Sequence, residues 1–176
     1  MDETLPQIYL IILLVLLGVA ALAVIRQVFK TRKIESTLSK LERKLQKERG
    51  TVQDYYELGS IYLDKKLFAQ AVILFQKGLK APDASETNLA PVHNALGFAY
   101  FAQDQYDIAI RQYKEALKLE PDYVTALNNL GHVYERKKLT AQALEAYEAA
   151  LKYEPKNETA KRRAESLRKR LVPSSS

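Results

Sequence analysis

Few side chains in this 176-residue sequence have types and spacing suited to covalent or metal chemistry. Cysteine is absent, which removes thiolate nucleophiles, thiolate metal ligands and disulfides together. The only two histidines, His93 and His132, have no paired carboxylate at metal-ligand spacing, so packing and surface roles are expected for them. No glycine-rich phosphate loop, nucleophile elbow or catalytic carboxylate pair is readable, and the Asp and Glu residues are scattered as solubilising surface. The expectation is a protein without catalysis, metal, cofactor or small-molecule substrate. What remains is the non-covalent chemistry of a side-chain surface.

The elements that would present such a surface are set by a repeat. Leu96, Gly97, Tyr100, Ala109, Tyr113, Ala116 and Pro121 recur 34 residues later as Leu130, Gly131, Tyr134, Ala143, Tyr147, Ala150 and Pro155. A period near 34 marks an array of supersecondary units rather than one globular core. A divergent earlier copy places Tyr55, Leu58, Gly59, Tyr62, Ala71, Phe75 and Gly78 before Pro82. Its Gly59 precedes Gly97 by 38 residues, so about four are inserted, which predicts a longer loop over Asp83–Asn88.

Each unit reads as two helices. Glycine on the first and alanines on the second let the backbones approach, and Tyr100, Tyr113, Tyr134 and Tyr147 are expected to fill the space between units. Pro121 and Pro155 stop the second helix, because a proline in a helix interior costs about 3 kcal/mol.

Composition agrees with a folded, helical chain, at 47% apolar and 27% charged with only six Gly and six Pro. The net charge of +6 is unevenly placed. Residues 26–50 carry nine Lys/Arg against three Glu, 156–176 carry seven against two, and the repeat body between them is mildly acidic. The basic pI therefore reports two segments, and no nucleic-acid partner is expected.

Ile8–Ile25 is free of charge over 18 residues. With its flanks, over residues 5–29, it makes a helix of roughly 27–30 Å, enough for a bilayer core. Ala21-Leu22-Ala23 has the form of a signal-peptide cleavage site, but the leader is acidic and Arg26, Lys30, Arg32 and Lys33 lie on the far side. The reading is an anchor over 1–30 with its N-terminus outside or lumenal and all that follows cytoplasmic or stromal.

Residues 31–50 form a basic helical linker with a narrow seam of Ile34, Leu38, Leu41 and Leu45. The seam suits packing on the first repeat or dimerisation, and the basic face suits solvent or anionic lipid. After the repeats (52–85, 90–123 and 124–157, within 51–156), Ala160, Ala164, Leu167 and Leu171 make one thin stripe. That predicts a capping helix over 157–171, with a disordered tail at 172–176.

The three units resemble tetratricopeptide repeats, with His93 and Leu127 standing where that family prefers a large residue. The resemblance implies an all-α solenoid of three helical hairpins plus a capping helix, with first helices lining a concave groove. Carried over by position, Tyr56, Ser60, Leu63, Asn94, Ala95, Phe98, Phe101, Thr125, Asn128, Asn129, His132, Glu135 and Arg136 line it. Asn94, Phe98, Phe101, Asn128, Asn129, His132 and Arg136 are the candidate partner-binding residues. Phe98 and Phe101 are expected to be exposed apolar anchors. The Lys/Asn/Arg clamp by which some members hold chaperone carboxylates is absent, since Tyr56, Ser60, Ala95, Thr125 and Asn129 occupy its positions.

The layout as a whole is similar to the small membrane family of cyanobacteria and plastids called hypothetical chloroplast reading frame 37. That resemblance implies an assembly or stability factor for photosystem I in thylakoids, with photosystem I subunits or assembly intermediates as partners. The alternatives are an anchored receptor or co-chaperone for protein import or quality control, and a scaffold that self-associates through the linker.

Overall fold

The computed structural model describes residues 4–171, apart from the side chains of residues 4–6 and 30. The tail expected to be disordered, 172–176, lies outside the described residues. All regular structure among the described residues is helical, and the chain divides into two units, 1–43 and 44–176.

The first unit is most of α1 (Thr4–Lys47), one unbroken helix of 44 residues. Its large apolar side chains from Ile8 to Phe29 are 45–68% exposed, and its most apolar 18-residue window has a mean hydropathy of 3.2. By length and composition it is able to cross a membrane.

The last turn of α1 belongs to the second unit and is fastened to the start of α2 (Val52–Asp64). Thr51 and Asp54 form a reciprocal capping box, and Lys44 Nζ donates to both Asp54 oxygens at 2.7 and 2.8 Å. Burial would raise the Asp54 pKa, but hydrogen bonds from Lys44 and Thr51 outweigh it and hold the carboxyl below its usual value. The inserted loop also serves this helix end, because Asp83 accepts the Val52 N–H at 2.9 Å.

From α2 the chain runs through α3 (Phe68–Gly78), α4 (Ala90–Phe101), α5 (Tyr106–Leu119), α6 (Val124–Arg136), α7 (Thr140–Tyr153) and α8 (Glu158–Leu171), each packed on the next. Within a repeat the two helices close by setting an aromatic ring on a bare glycine. A Cβ added to Gly59, Gly97 or Gly131 would lie 2.5, 2.7 or 2.8 Å from the ring of Phe75, Tyr113 or Tyr147. Tyr113 and Tyr147 therefore seat on the glycine of their own repeat rather than filling only the space between repeats. Tyr113 also joins the core formed with α6 and α7.

Each hairpin reverses through one left-handed residue, Lys66, Asp104 or Lys138, at φ 58–60°. Such a backbone costs a non-glycine residue about 1–2 kcal/mol, which the helix packing must offset. At the far ends, Glu120 and Glu154 adopt extended φ of −142° and −132°. The prolines that follow them disfavour any further helical turn.

Asn157 caps α8 by accepting the Ala160 N–H at 2.9 Å. Ala160, Ala164 and Leu167 are buried against the third repeat, whereas Leu171 is 45% exposed, so the buried stripe is one turn shorter than the sequence pattern.

Candidate partner-binding face

Asn94, Phe98 and Phe101 are spaced four and three apart on α4, and Asn129, His132 and Arg136 three and four apart on α6, so each trio shares one helix face. The two faces meet. Asn129 Nδ2 donates to Asn94 Oδ1 at 2.9 Å, and the Phe101 and His132 ring centroids are 4.9 Å apart at 45°.

Phe98 is 43% exposed and flanked on its own helix by Asn94 and Phe101, both of which reach α6. Phe101 corrects the sequence reading, because it is half-buried rather than exposed. Its ring lies between His132 and Tyr106, 5.6 Å from the latter, and packs against the core of the last two repeats. Tyr106 lies just past the turn of the second repeat, and its hydroxyl donates to Asp104 and accepts from Arg136 at 3.1 Å. The Arg136 guanidinium stands 5.9 Å from the Tyr106 ring centroid and 4.0 Å from Asp104.

Asn128 occupies on α6 the position that Asn94 has on α4. Its Oδ1 is buried and accepts no hydrogen bond among the described residues. Glu135 is fully engaged, accepting from the Tyr147 hydroxyl at 2.7 Å and standing 3.5 Å from Arg163 on α8. Burial and then Glu135 push the Tyr147 pKa upward.

His132 is exposed overall, yet it loses solvent on its Phe101 side. That partial burial, and then the positive charges of Arg163 and Arg136 against the opposing Glu135, hold its pKa below the ordinary histidine value. Arg163 was not among the candidates drawn from the sequence. The available signal was its position 34 residues after Asn129, which extends the same face onto α8.

The other positions implied by the repeat resemblance are largely consumed by packing. Tyr56 lies 6.1 Å from the Phe75 ring, Ser60 donates to the Tyr56 carbonyl at 2.8 Å, and Ala95 is buried. Leu63 is half-buried and Thr125 exposed. His93 Nδ1 is 2.9 Å from Gln112 Oε1, tying α4 to α5 away from His132. Among the described residues no cluster of three or more His, Asp or Glu is placed to hold a metal. The face offers one exposed aromatic ring, amide groups and guanidinium groups, which suit non-covalent recognition.

Tetratricopeptide-repeat family models match residues 55–84, 97–138 and 124–157. The chain is similar to the uncharacterized protein ycf37 of Cyanophora paradoxa, at 36% identity over 93% of this chain and 95% of that one. It is also 38% identical to the chloroplastic tetratricopeptide repeat domain-containing protein PYG7 of Arabidopsis thaliana over 93% of its length, and it spans 54% of that longer protein. Among solved structures, MamA superposes with a TM-score of 0.71 at 23% identity, covering 80% of each chain. The first repeat domain of Spaghetti (RPAP3), bound to the HSP90 peptide SRMEEVD, gives 0.64 at 20% identity, covering 70% of this chain and 95% of that one.

Proposed function

The chain belongs to the ycf37 family of tetratricopeptide-repeat proteins, and from that premise we propose that it is a non-enzymatic, membrane-anchored module that binds protein partners during assembly or stabilisation of photosystem I in thylakoids. In this reading residues 1–30 are the anchor, 31–50 a basic linker, 51–156 the repeats and 157–171 their cap. The repeats face the stroma or cytoplasm, the side on which Arg26, Arg32 and Lys33 remain.

The observation that carries the reading is Phe98, an aromatic ring 43% exposed on α4. Such a ring is the type of anchor that dominates binding energy when a partner covers it. Tethering near a bilayer raises the effective concentration of that anchor for membrane-protein partners, so a modest intrinsic affinity suffices. The tagged chain should co-purify with photosystem I subunits from solubilised thylakoids, and Phe98→Ala should reduce recovery several-fold while the helical melt is unchanged. Unchanged recovery with the folded variant would remove this face from the mechanism. Recovery of many unrelated clients instead would favour an import or quality-control receptor.

A further inference from the structure

The first repeat holds an open cleft of about 340 Å³ whose walls come from three separate stretches, all within the second unit. Arg49 reaches it from the turn between α1 and α2, Tyr55 from α2, Lys77 from the last turn of α3, and Lys80 and Pro82 from the loop that follows. The turn carrying Arg49 is closely packed. Leu45 lies directly on the bare Gly50, where a Cβ would collide with it and stand 3.3 Å from the Tyr55 ring.

Three cations line the cleft, and no Asp or Glu does. Among the described residues, neither Arg49, Lys77 nor Lys80 uses its charged group in a hydrogen bond or ion pair. The carboxylates closest in sequence are engaged elsewhere. Asp54 accepts from Lys44 and Thr51, Glu48 acts on the charge of Lys44, and Asp83 accepts the Val52 N–H. Lysines at a helix C-terminus often serve its free carbonyls. Here the Phe75, Lys77 and Gly78 carbonyls already receive the N–H groups of Leu79, Lys80 and Ala81 at 3.0–3.1 Å.

We propose that this cleft binds a phosphate monoester, its oxygens meeting Arg49, Lys77 and Lys80 and its carbon portion lying against Tyr55 and Pro82. Such a group carries about 1.5–2 negative charges at neutral pH and three strong acceptor oxygens, which answers three unpaired cations better than the single charge of one carboxylate. The volume lies at the small end of ligand sites, which span roughly 300–1,000 Å³. The phosphate arrives either on a soluble metabolite or as the headgroup of a phosphatidic-acid-type lipid, two sources with the same recognition chemistry. The cleft shares no residue with the Phe98 face and does not rest on the role proposed for that face.

The test follows amide NMR signals of the full chain in a neutral detergent as glycerol 3-phosphate, glycerol or micellar phosphatidic acid is added. Glycerol 3-phosphate should shift residues 49–55 and 77–82 saturably, at least tenfold more tightly than glycerol, and less tightly as salt is raised. Arg49→Gln with Lys77→Gln and Lys80→Gln should weaken binding about tenfold. Removing the same charge from α8, by Lys161→Gln, Arg162→Gln and Lys169→Gln, should change it less than about twofold, and Phe98→Ala should leave it unaltered. Saturation of the same signals at lower phosphate with phosphatidic acid assigns the lipid source, and equal or better saturation with glycerol 3-phosphate assigns the soluble one. Equal weakening by the α8 change, shifts spread over all basic segments of the unaltered chain, or no saturable shift with either phosphate at millimolar concentration overturns the site.

Discussion

His132 shows how a single side chain reports its surroundings. Its own α6 supplies Glu135 and Arg136, α8 supplies Arg163, and α4 supplies the Phe101 ring. Partial burial and the guanidiniums disfavour the imidazolium, so the folded-state pKa lies below the ordinary value. With only one other histidine in the chain, imidazole NMR signals can be assigned by substituting His93. His132 is expected to titrate at lower pH than a free histidine, and Arg163→Gln should raise its pKa, because removing a nearby positive charge favours the protonated ring. An unchanged or lower pKa on that change would show that the Arg163 charge does not act on the ring.

At the scale of helices, each repeat depends on the approach permitted by one glycine. Gly131 sits where any Cβ would lie 2.8 Å from the Tyr147 ring, and Tyr147 is itself buried with its hydroxyl bonded to Glu135. The ring cannot move without disturbing that hydrogen bond. Gly131→Ala is therefore expected to destabilise the repeats by about 1–3 kcal/mol despite its better helix propensity. Urea unfolding of the variant measures this, and a more stable protein would show that the α6–α7 crossing has slack. The spacing of Gly and aromatic residues made the helix pairs legible in the sequence. The seating of Tyr113 and Tyr147 on the glycines of their own repeats was not, because a 34-residue period is consistent with packing within or between units.

From α2 to α8 packing passes from each helix to the next, so the stability of this unit is closer to a chain of neighbour interactions than to one shared core. Leu167 is the large apolar side chain with which α8 closes the last repeat, and it is 2% exposed. Leu167→Ala should cost about 2–4 kcal/mol through lost burial and the cavity left behind. In hydrogen exchange, protection is expected to fall in α6–α8 well before α2 and α3. Uniform loss of protection along all the helices would instead show that the repeats unfold as one unit.

The sequence by itself determined the all-helical class and the repeat period, because these follow from local rules. Glycine at close crossings, proline after a helix and apolar spacing along one face each act within a few residues. It also placed Asn94, Phe98 and Phe101, and Asn129, His132 and Arg136, on common faces, since helical spacing alone does that. Only tertiary structure decided which of these remain available. Phe101 is covered by His132 and Tyr106 from other helices, Asn94 and Asn129 satisfy one another, and Arg163 arrives from the capping helix. Those outcomes depend on which side chains of neighbouring helices meet, and a 34-residue period gives the register of a position without naming the partner its side chain reaches. Phe98 remains 43% exposed on α4.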